Sequence, residues 1–595
     1  MFKLQQFVFP QKQLVFPPTM YARNREDQWG GYISNIHMDG RNLKIHPEEE
    51  VHFDSFFNGF FIETWKANTQ IHDLGFCLKG LGDLTLTLSW VRFTDKSIPW
   101  HKRPPMGTQV LHTVRISISD KGFFLPIPSW KNLEDGMLWV SVKAHGEVTI
   151  TDGYFYTHTA PCQDVKLGLV VTHFNRKQFL IPAIKRVTEQ LLNDYQDKIS
   201  MVVVDNSQNI LPEESGKAIV IPNKNLGGSG GFTRGLIYLK DHGYTHCLFM
   251  DDDASCEIES IRRTYALYSY AKPEDRIAVS GTLILEDRAD RVYEKGGIYE
   301  GGACHPAKLG VCLSAQRGLL EAEGTEPAVN YGAWCFYAFA VNHVRNYSFP
   351  FFVRGDDILF GLQNAFRTVT MNGVATLIDS FAEKESPMTT YLHFRAESVI
   401  NMIHENKGVL DLIRKFNSRY LMHLFAYQYA TVEAMRLGLQ AVLDGPETFE
   451  KDVDAKKVRS RIGAIAGLEK MIPINSSEFI EEKDETETRW QRFFRSITLN
   501  GLLVPKTFFK NGIVYQPKGI GCSKKQVFRY RYVGYVLKKQ GIGYVTRHSK
   551  NQLLYGLVDL IRWDLKILLK LPSIKKQFKE KMNHLTSDKF WRNEF

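Results

Sequence analysis

The chain has 595 residues, 44% of them hydrophobic and 24% charged, which is too long for one hydrophobic core and too apolar for a disordered chain. Its net charge of +10 admits an anionic substrate, an anionic membrane surface or nucleic acid, and the absence of a recognisable reading module argues against the last. The eight cysteines form no Cys-x-x-Cys pair, no stretch reaches the roughly 18 apolar residues of a membrane span, and Pro10 interrupts the region where a secretory leader needs an apolar run; the expectation is a cytoplasmic protein.

Residues 50–160 carry short alternating runs such as Leu84–Trp90, Val114–Ser119 and Leu138–Val142 between Gly, Pro and Asp turns. That pattern predicts strands with no intervening helices, hence a β-sandwich over 1–162, read either as a carbohydrate-binding or as a packing module. At Val165–Thr172 the chain becomes continuously apolar, a helical stretch follows from Phe179 to Leu192, and Ser200–Asp205 is a second buried-looking strand. Strand, helix and strand with both strands apolar on both faces predict a parallel sheet, whose ligands gather at the carboxyl ends of the strands. Asn175, Arg176 and Asp205 lie at such ends, within an α/β domain assigned to 163–400. Beyond it, helical periodicity around 410–425, 454–470 and 551–571 predicts a mainly helical third domain over 401–595, with an acidic linker from Glu478 to Glu487.

Three segments of the middle domain carry candidate chemistry. Phe249-Met250-Asp251-Asp252-Asp253 places three carboxylates at the end of an apolar strand, an arrangement that calls for a hard divalent cation, Mg²⁺ or Mn²⁺, with a solvated acidic turn as the other reading. Asn225 to Arg234, with Gly227-Gly228-Ser229-Gly230-Gly231, is a strand-to-helix transition whose backbone can approach a ligand closely, and it is neither a P-loop nor a dinucleotide fingerprint. Asp356 and Asp357 open a helix, where a carboxylate can serve as a general base or simply favour the helix start. Trp334, between the last two segments, offers a face of the kind sugars stack on or that a core absorbs.

Taken together, these motifs resemble the bacterial galactofuranosyltransferases that build galactan, inverting family 2 glycosyltransferases with a GT-A fold. Phe53–Phe60 with Trp65 is similar to that family's N-terminal β-sandwich, and Asn225–Arg234 is similar to its glycine-rich loop. The resemblance implies a multidomain α/β protein with sandwich, GT-A domain and helical C-terminal domain. It implies Asp251 and Asp253 as metal ligands, Asp252 near the donor, and Phe174 and Arg176 as the nucleotide-contacting turn, with Asp205, Asn225, Gly227 and Gly228 also on the donor. Trp334 and Asp356 fall to the acceptor and Asp357 to the catalytic base. The family completes its metal site with a histidine, and the corresponding stretch, Thr376–Lys384, has none; Asp379 is the replacement expected, with Glu383 second and His393 matching a different family histidine. Cys335 and Gly355 stand where the family tends to carry tryptophans.

The expected reaction moves a sugar, galactofuranose from UDP-galactofuranose, to a hydroxyl of a lipid-linked or polysaccharide acceptor. Other readings are a transferase of the same fold using another donor such as a rhamnose nucleotide, and a catalytically impaired binding or assembly protein. The basic end of the chain, with the apolar and charged run Leu557–Leu571 followed by Lys575 and Lys576, is expected either to lie on the inner face of the membrane or to be a buried helix. A homo-oligomer is compatible with all of these readings.

Overall fold

The computed structural model describes residues 1–9, 16–26, 32–33, 37–39, 42–93, 98, 107–324, 327–380, 383–477, 479–481, 488–519 and 525–595. One strand of 18 residues, Gly75–Arg92, organises the N-terminal sandwich by serving both of its sheets. Its first half pairs with Phe123–Pro126 and Val148–Thr157, and its second half with Gly107–Ile118 and Met137–Ala144. The change of sheet falls at Gly80 and Gly82, with φ of +153° and +123°. A Cβ at these positions would lie 2.0 Å from the Thr149 carbonyl and 2.5 Å from that of Glu147, so the corner requires glycine twice. Phe2–Gln6 closes the sandwich against Val148–Thr157.

The aromatic segment Phe53–Phe60, with Trp65, packs inside the sandwich. Phe53, Phe56, Phe57 and Phe60 are fully buried and Trp65 stacks on Phe60 with ring centroids 5.5 Å apart. The sandwich core continues without a break into the next domain, Phe155 and Trp65 belonging to the same apolar cluster as Leu169, Ile261 and Met371. Polar groups bridge the same seam. Arg263, fully buried, donates to the carbonyls of Phe57 (2.8 Å) and Asn372 (2.9 Å), and the Gln6 N–H donates to Glu259 (2.7 Å).

The middle domain is a nine-stranded sheet in the order Ile219–Pro222, Ile199–Asp205, Leu167–His173, His246–Asp251, Tyr337–Ala340, Ile277–Leu285, Arg367–Ile378 and Ser255–Cys256, with Val292–Lys295 beside Ile277–Leu285. The first four strands are parallel, and Tyr337–Ala340 runs antiparallel to both neighbours. The register sets Thr172 beside Asp251 and His173 beside Asp205, so three carboxyl ends share one rim. Helices Lys177–Val187, Gly227–Asp241 and Ile258–Tyr270 cover the sheet.

The expected three-part α/β architecture is present, with one addition. Within the helical C-terminal part, Ile472–Pro473, Lys510–Pro517, Tyr530–Leu537 and Ile542–Arg547 form a four-stranded sheet. These strands are short and glycine-interrupted, and long helices flank them, which masked their alternation. Helix Pro387–Ile403 runs across position 400 and packs on Tyr429–Leu443. The acidic stretch 478–487 lies largely outside the described residues. Leu557–Leu571 belongs to helix Lys550–Leu585, and no described helix is long and apolar enough to cross a membrane.

Candidate active site

The three aspartates at the end of His246–Asp251 face different partners. Asp251 accepts the Cys335 thiol proton (Sγ to Oδ2 3.2 Å), and burial, reinforced by the charge of Asp253, pushes its carboxyl up to about 6. Asp252 is buried and receives His173 Nδ1 (3.1 Å), the Phe174 N–H (3.4 Å) and Arg176 Nη1 (3.2 Å). Asp253 receives the same Arg176 nitrogen at 2.7 Å and the Lys384 ammonium at 2.8 Å. The turn His173–Arg176 therefore packs directly on the acidic motif, with Asn175 in the left-handed region and Phe174 partly exposed beside it.

Lys384 also approaches Asp379, its Nζ 3.6 Å from Oδ2. The position expected to supply a third metal ligand thus sits beside an ammonium group, and Asp379 is 55% exposed. Among the described residues no three His, Cys, Asp or Glu side chains gather as a metal cage. The donor set that does fit a divalent ion is smaller. The charge of Asp253 adds to the cost of ionising Asp251, and the two carboxylates offer hard oxygens, enough for Mg²⁺ or Mn²⁺ when substrate phosphates complete the shell.

Asp205, in contrast, is committed to its own loop. Its Oδ1 accepts the N–H groups of Ser207 and Gln208 (both 2.9 Å), and its Oδ2 those of Asn209 (2.8 Å) and Ile210 (2.9 Å). It is buried at the same rim, where it holds the turn Ser207–Ile210.

The glycine-rich segment is the first turns of helix Gly227–Asp241 rather than an open loop. Its glycines are explained by protein against protein. A Cβ at Gly227, whose φ is +66°, would lie 2.1 Å from the Phe352 carbonyl, and one at Gly231 would lie 2.3 Å from the Thr172 side chain. Asn225 Oδ1 accepts the Gly227 N–H (3.1 Å), Ser229 N–H donates to Phe352 O (3.1 Å), and Ser229 Oγ donates to Asp356 Oδ2 (3.2 Å). A Cβ at Gly228 would stand 3.1 Å from that same carboxylate oxygen. The helix start is thereby keyed to the paired aspartates.

Asp356 and Asp357 begin helix Asp356–Asn364 behind Gly355, which is left-handed at φ +79°. Phe352 and Arg354 just before it also have positive φ, +71° and +75°, a concentration of backbone strain of the kind found where function fixes geometry. Burial and the neighbouring charge of Asp357 push Asp356 up to about 8; burial raises Asp357, while the Ile358 N–H (2.8 Å) and the charge of Arg354 oppose the rise. Glu294, which no motif had indicated, faces this pair: burial and Asp357 together push it up to about 8. Only the four-residue strand Val292–Lys295 surrounds Glu294 in sequence, so nothing local marked it.

Trp334 lies beneath the site, buried against Phe232, Phe249 and Phe360 at 5.1, 5.0 and 5.5 Å. These rings come from the glycine helix, the aspartate strand and the Asp356 helix, so Trp334 joins the three motifs. Its indole N–H is buried and has no hydrogen-bond partner among the described residues. As a stacking platform its faces are already covered; what it can still offer is that donor.

Residues 169–297 match the family model described as Glycosyl transferase family 2. Among curated proteins the chain is similar to the galactofuranosyltransferase GlfT2 of Mycolicibacterium smegmatis, 24% identical over 461 residues that cover 71% of this chain and 69% of that one. It is also similar to GlfT2 of Mycobacterium tuberculosis, 23% identical over 440 residues covering 68% and 67%. A solved mannosyltransferase, PcManGT from Pyrobaculum calidifontis in complex with GDP-Man and Mn²⁺, is 14% identical with a TM-score of 0.29 over 52% of this chain and 87% of that chain, a likeness that carries no argument about chemistry.

Proposed function

Since the chain is a family 2 glycosyltransferase of the galactofuranosyltransferase type, acting with a nucleotide-sugar donor, we propose that it moves galactofuranose from UDP-galactofuranose to a hydroxyl of a lipid-linked or polysaccharide acceptor, with inversion. The observation that carries this reading is convergence: the aspartate strand, the glycine helix and the paired aspartates meet through Ser229 on Asp356 and through Trp334. Arg176, in the turn that flanks the acidic motif, would exchange carboxylates for donor phosphates. Asp251 and Asp253 would hold Mg²⁺ or Mn²⁺, which when bound neutralises charge growing on the departing nucleotide diphosphate. Asp357 takes the proton from the acceptor hydroxyl as that oxygen attacks the anomeric carbon, while Asp356, with its carboxyl near 8, stays protonated at neutral pH. The bond from the anomeric carbon to the diphosphate breaks as the new glycosidic bond forms, so no covalent enzyme intermediate is required.

The proposed setting is the cytoplasmic face of the cell membrane, where a lipid-linked acceptor is presented. The Lys384 ammonium between Asp253 and Asp379 favours one competing reading, a binding protein in which a lysine has replaced the cation. Release of UDP from UDP-galactofuranose, measured with and without Mn²⁺ and a galactan acceptor, separates the two. Acceptor- and metal-dependent release is expected. Release only from a rhamnose or other hexose nucleotide would reassign the donor, and none from any sugar nucleotide would leave the binding protein.

A further inference from the structure

One oxygen of Asp253, Oδ2, receives two cations at once, Arg176 Nη1 at 2.7 Å and Lys384 Nζ at 2.8 Å. The two are held differently. Arg176 also donates to Asp252 Oδ1 (3.2 Å) and stands directly before helix Lys177–Val187, so its rigid fork is fixed across two carboxylates. Lys384 reaches Asp253 from the opposite side of the motif, out of the loop between Arg367–Ile378 and Pro387–Ile403, and its side chain is 33% exposed. The backbone of that loop is pinned. The Glu383 carbonyl accepts Lys518 Nζ (2.7 Å), the Glu383 carboxylate accepts Gln540 Nε2 (3.0 Å), and Ser386 caps the helix that follows. Lys518 and Gln540 border strands of the C-terminal sheet, which therefore fixes where Lys384 starts from. What remains free to move is its four-carbon stem, and a second carboxylate, Asp379, lies 3.6 Å from its ammonium.

We propose that Lys384 is an exchangeable counter-charge: it holds Asp253 while the cleft is empty, gives way to the divalent cation, and then binds the donor diphosphate from the rim. The proposal rests on the reading of Asp251 and Asp253 as the metal pair. Both lone pairs of Asp253 Oδ2 are already engaged, and an ammonium and a guanidinium beside it repel an arriving dication. Entry of the cation therefore displaces one of them. Lys384 is the one that leaves, because Arg176 is tied to a second aspartate and the lysine has both a flexible stem and Asp379 to move toward. A bound cation brings phosphate charge to the same rim, and a lysine meets phosphate as a point charge without needing a fixed angle. Lys384 thus opposes the cation in the absence of donor and favours the donor once the cation is in place. A single side chain thereby couples the binding of metal and nucleotide.

Two titrations of the full chain test this: Mn²⁺ alone, followed by electron paramagnetic resonance of the free ion, and UDP by calorimetry at saturating Mn²⁺. K384M should bind Mn²⁺ about tenfold more tightly than the parent and UDP about tenfold more weakly, whereas K384R, which keeps the charge, should stay within about threefold of the parent for Mn²⁺. Shifts of opposite sign in one variant are the signature. A lysine that merely supports the cleft would weaken both ligands on removal, and an ion pair without a role would change neither. Failure of either shift overturns the proposal. Mn²⁺ binding by neither parent nor K384M overturns it together with the metal pair. If both shifts appear and UDP-galactofuranose is still not turned over, the role of Lys384 stands and the donor or the reaction has been misassigned.

Discussion

At the scale of single residues, the site depends on carboxyl groups held away from their ordinary ionisation range. Asp357→Asn should retain the thermal stabilisation given by UDP-galactofuranose while transfer falls by about 10²–10⁴-fold, because the variant keeps the shape of the cleft and loses the proton acceptor. Turnover close to that of the parent would remove Asp357 from its role. Asp356 gives a pH signature. Its folded carboxyl, near 8, lies above its unfolded value of 3.8, so the folded state binds the extra proton and stability falls as pH rises between those values. Asp356→Asn keeps the neutral form permanently. Its Tm relative to the parent should therefore climb from pH 5 to pH 8, and a difference that is flat or falls with pH would show that Asp356 is not the group being neutralised. Asp251 to Asp253, Trp334 and the Asp356-Asp357 pair were all legible in sequence, since each belongs to a short motif. Glu294, His173 and Lys384 were not, because what brings them to the site is strand pairing and loop return over long separations.

At the scale of elements, the glycine-rich segment was legible as a strand-to-helix transition but not as a packed helix. Its glycines suggested space kept free for a ligand; at Gly227 the space is filled by the Phe352 carbonyl, and at Gly231 by Thr172. Sequence cannot distinguish a backbone approached by substrate from one approached by another strand. Gly227→Ala meets both a left-handed φ and a carbonyl 2.1 Å from the new Cβ, and should cost about 2 kcal/mol or more in urea unfolding. The same change should also weaken transfer, because it pushes on the segment that sets Gly355 and the paired aspartates. Gly243→Ala is the control: φ is +69° there too, but nothing lies within 4 Å of the new Cβ, so only the smaller conformational cost is expected. The C-terminal sheet was missed for a related reason. Strands as short as Ile542–Arg547 alternate over too few residues to stand out beside a 36-residue helix.

At the scale of the whole molecule, the sandwich and the middle-domain sheet share one core. Arg263 spans the seam from within helix Ile258–Tyr270, beside Glu259 (3.7 Å), and both side chains are buried. Arg263→Leu would leave Glu259 without its counter-charge and the carbonyls of Phe57 and Asn372 without this donor, and about 3–5 kcal/mol should be lost. Calorimetry should record a single transition covering both parts, in the parent and in this variant alike. Two separated transitions would contradict the shared core. The sequence divided these parts correctly as fold types, through the change from alternating to continuously apolar strands near Val165. It gave no sign of the join, since a residue such as Leu169 has the same composition whether its neighbours come from its own domain or the one before.

The strand Gly75–Arg92 also bears on time. Its two halves wait for partners that arrive as late as Thr157, and Phe2–Gln6, which precedes it in the chain, pairs with that same last strand. No hairpin of the sandwich can bury both faces early, and loop closure over such separations is slow. During synthesis the first strands must remain exposed until the whole sandwich has emerged, and their shared core is finished only when Arg367–Ile378 joins the second sheet. This chain should therefore depend on chaperones for most of its N-terminal half, and it should refold from denaturant in seconds or longer rather than in milliseconds.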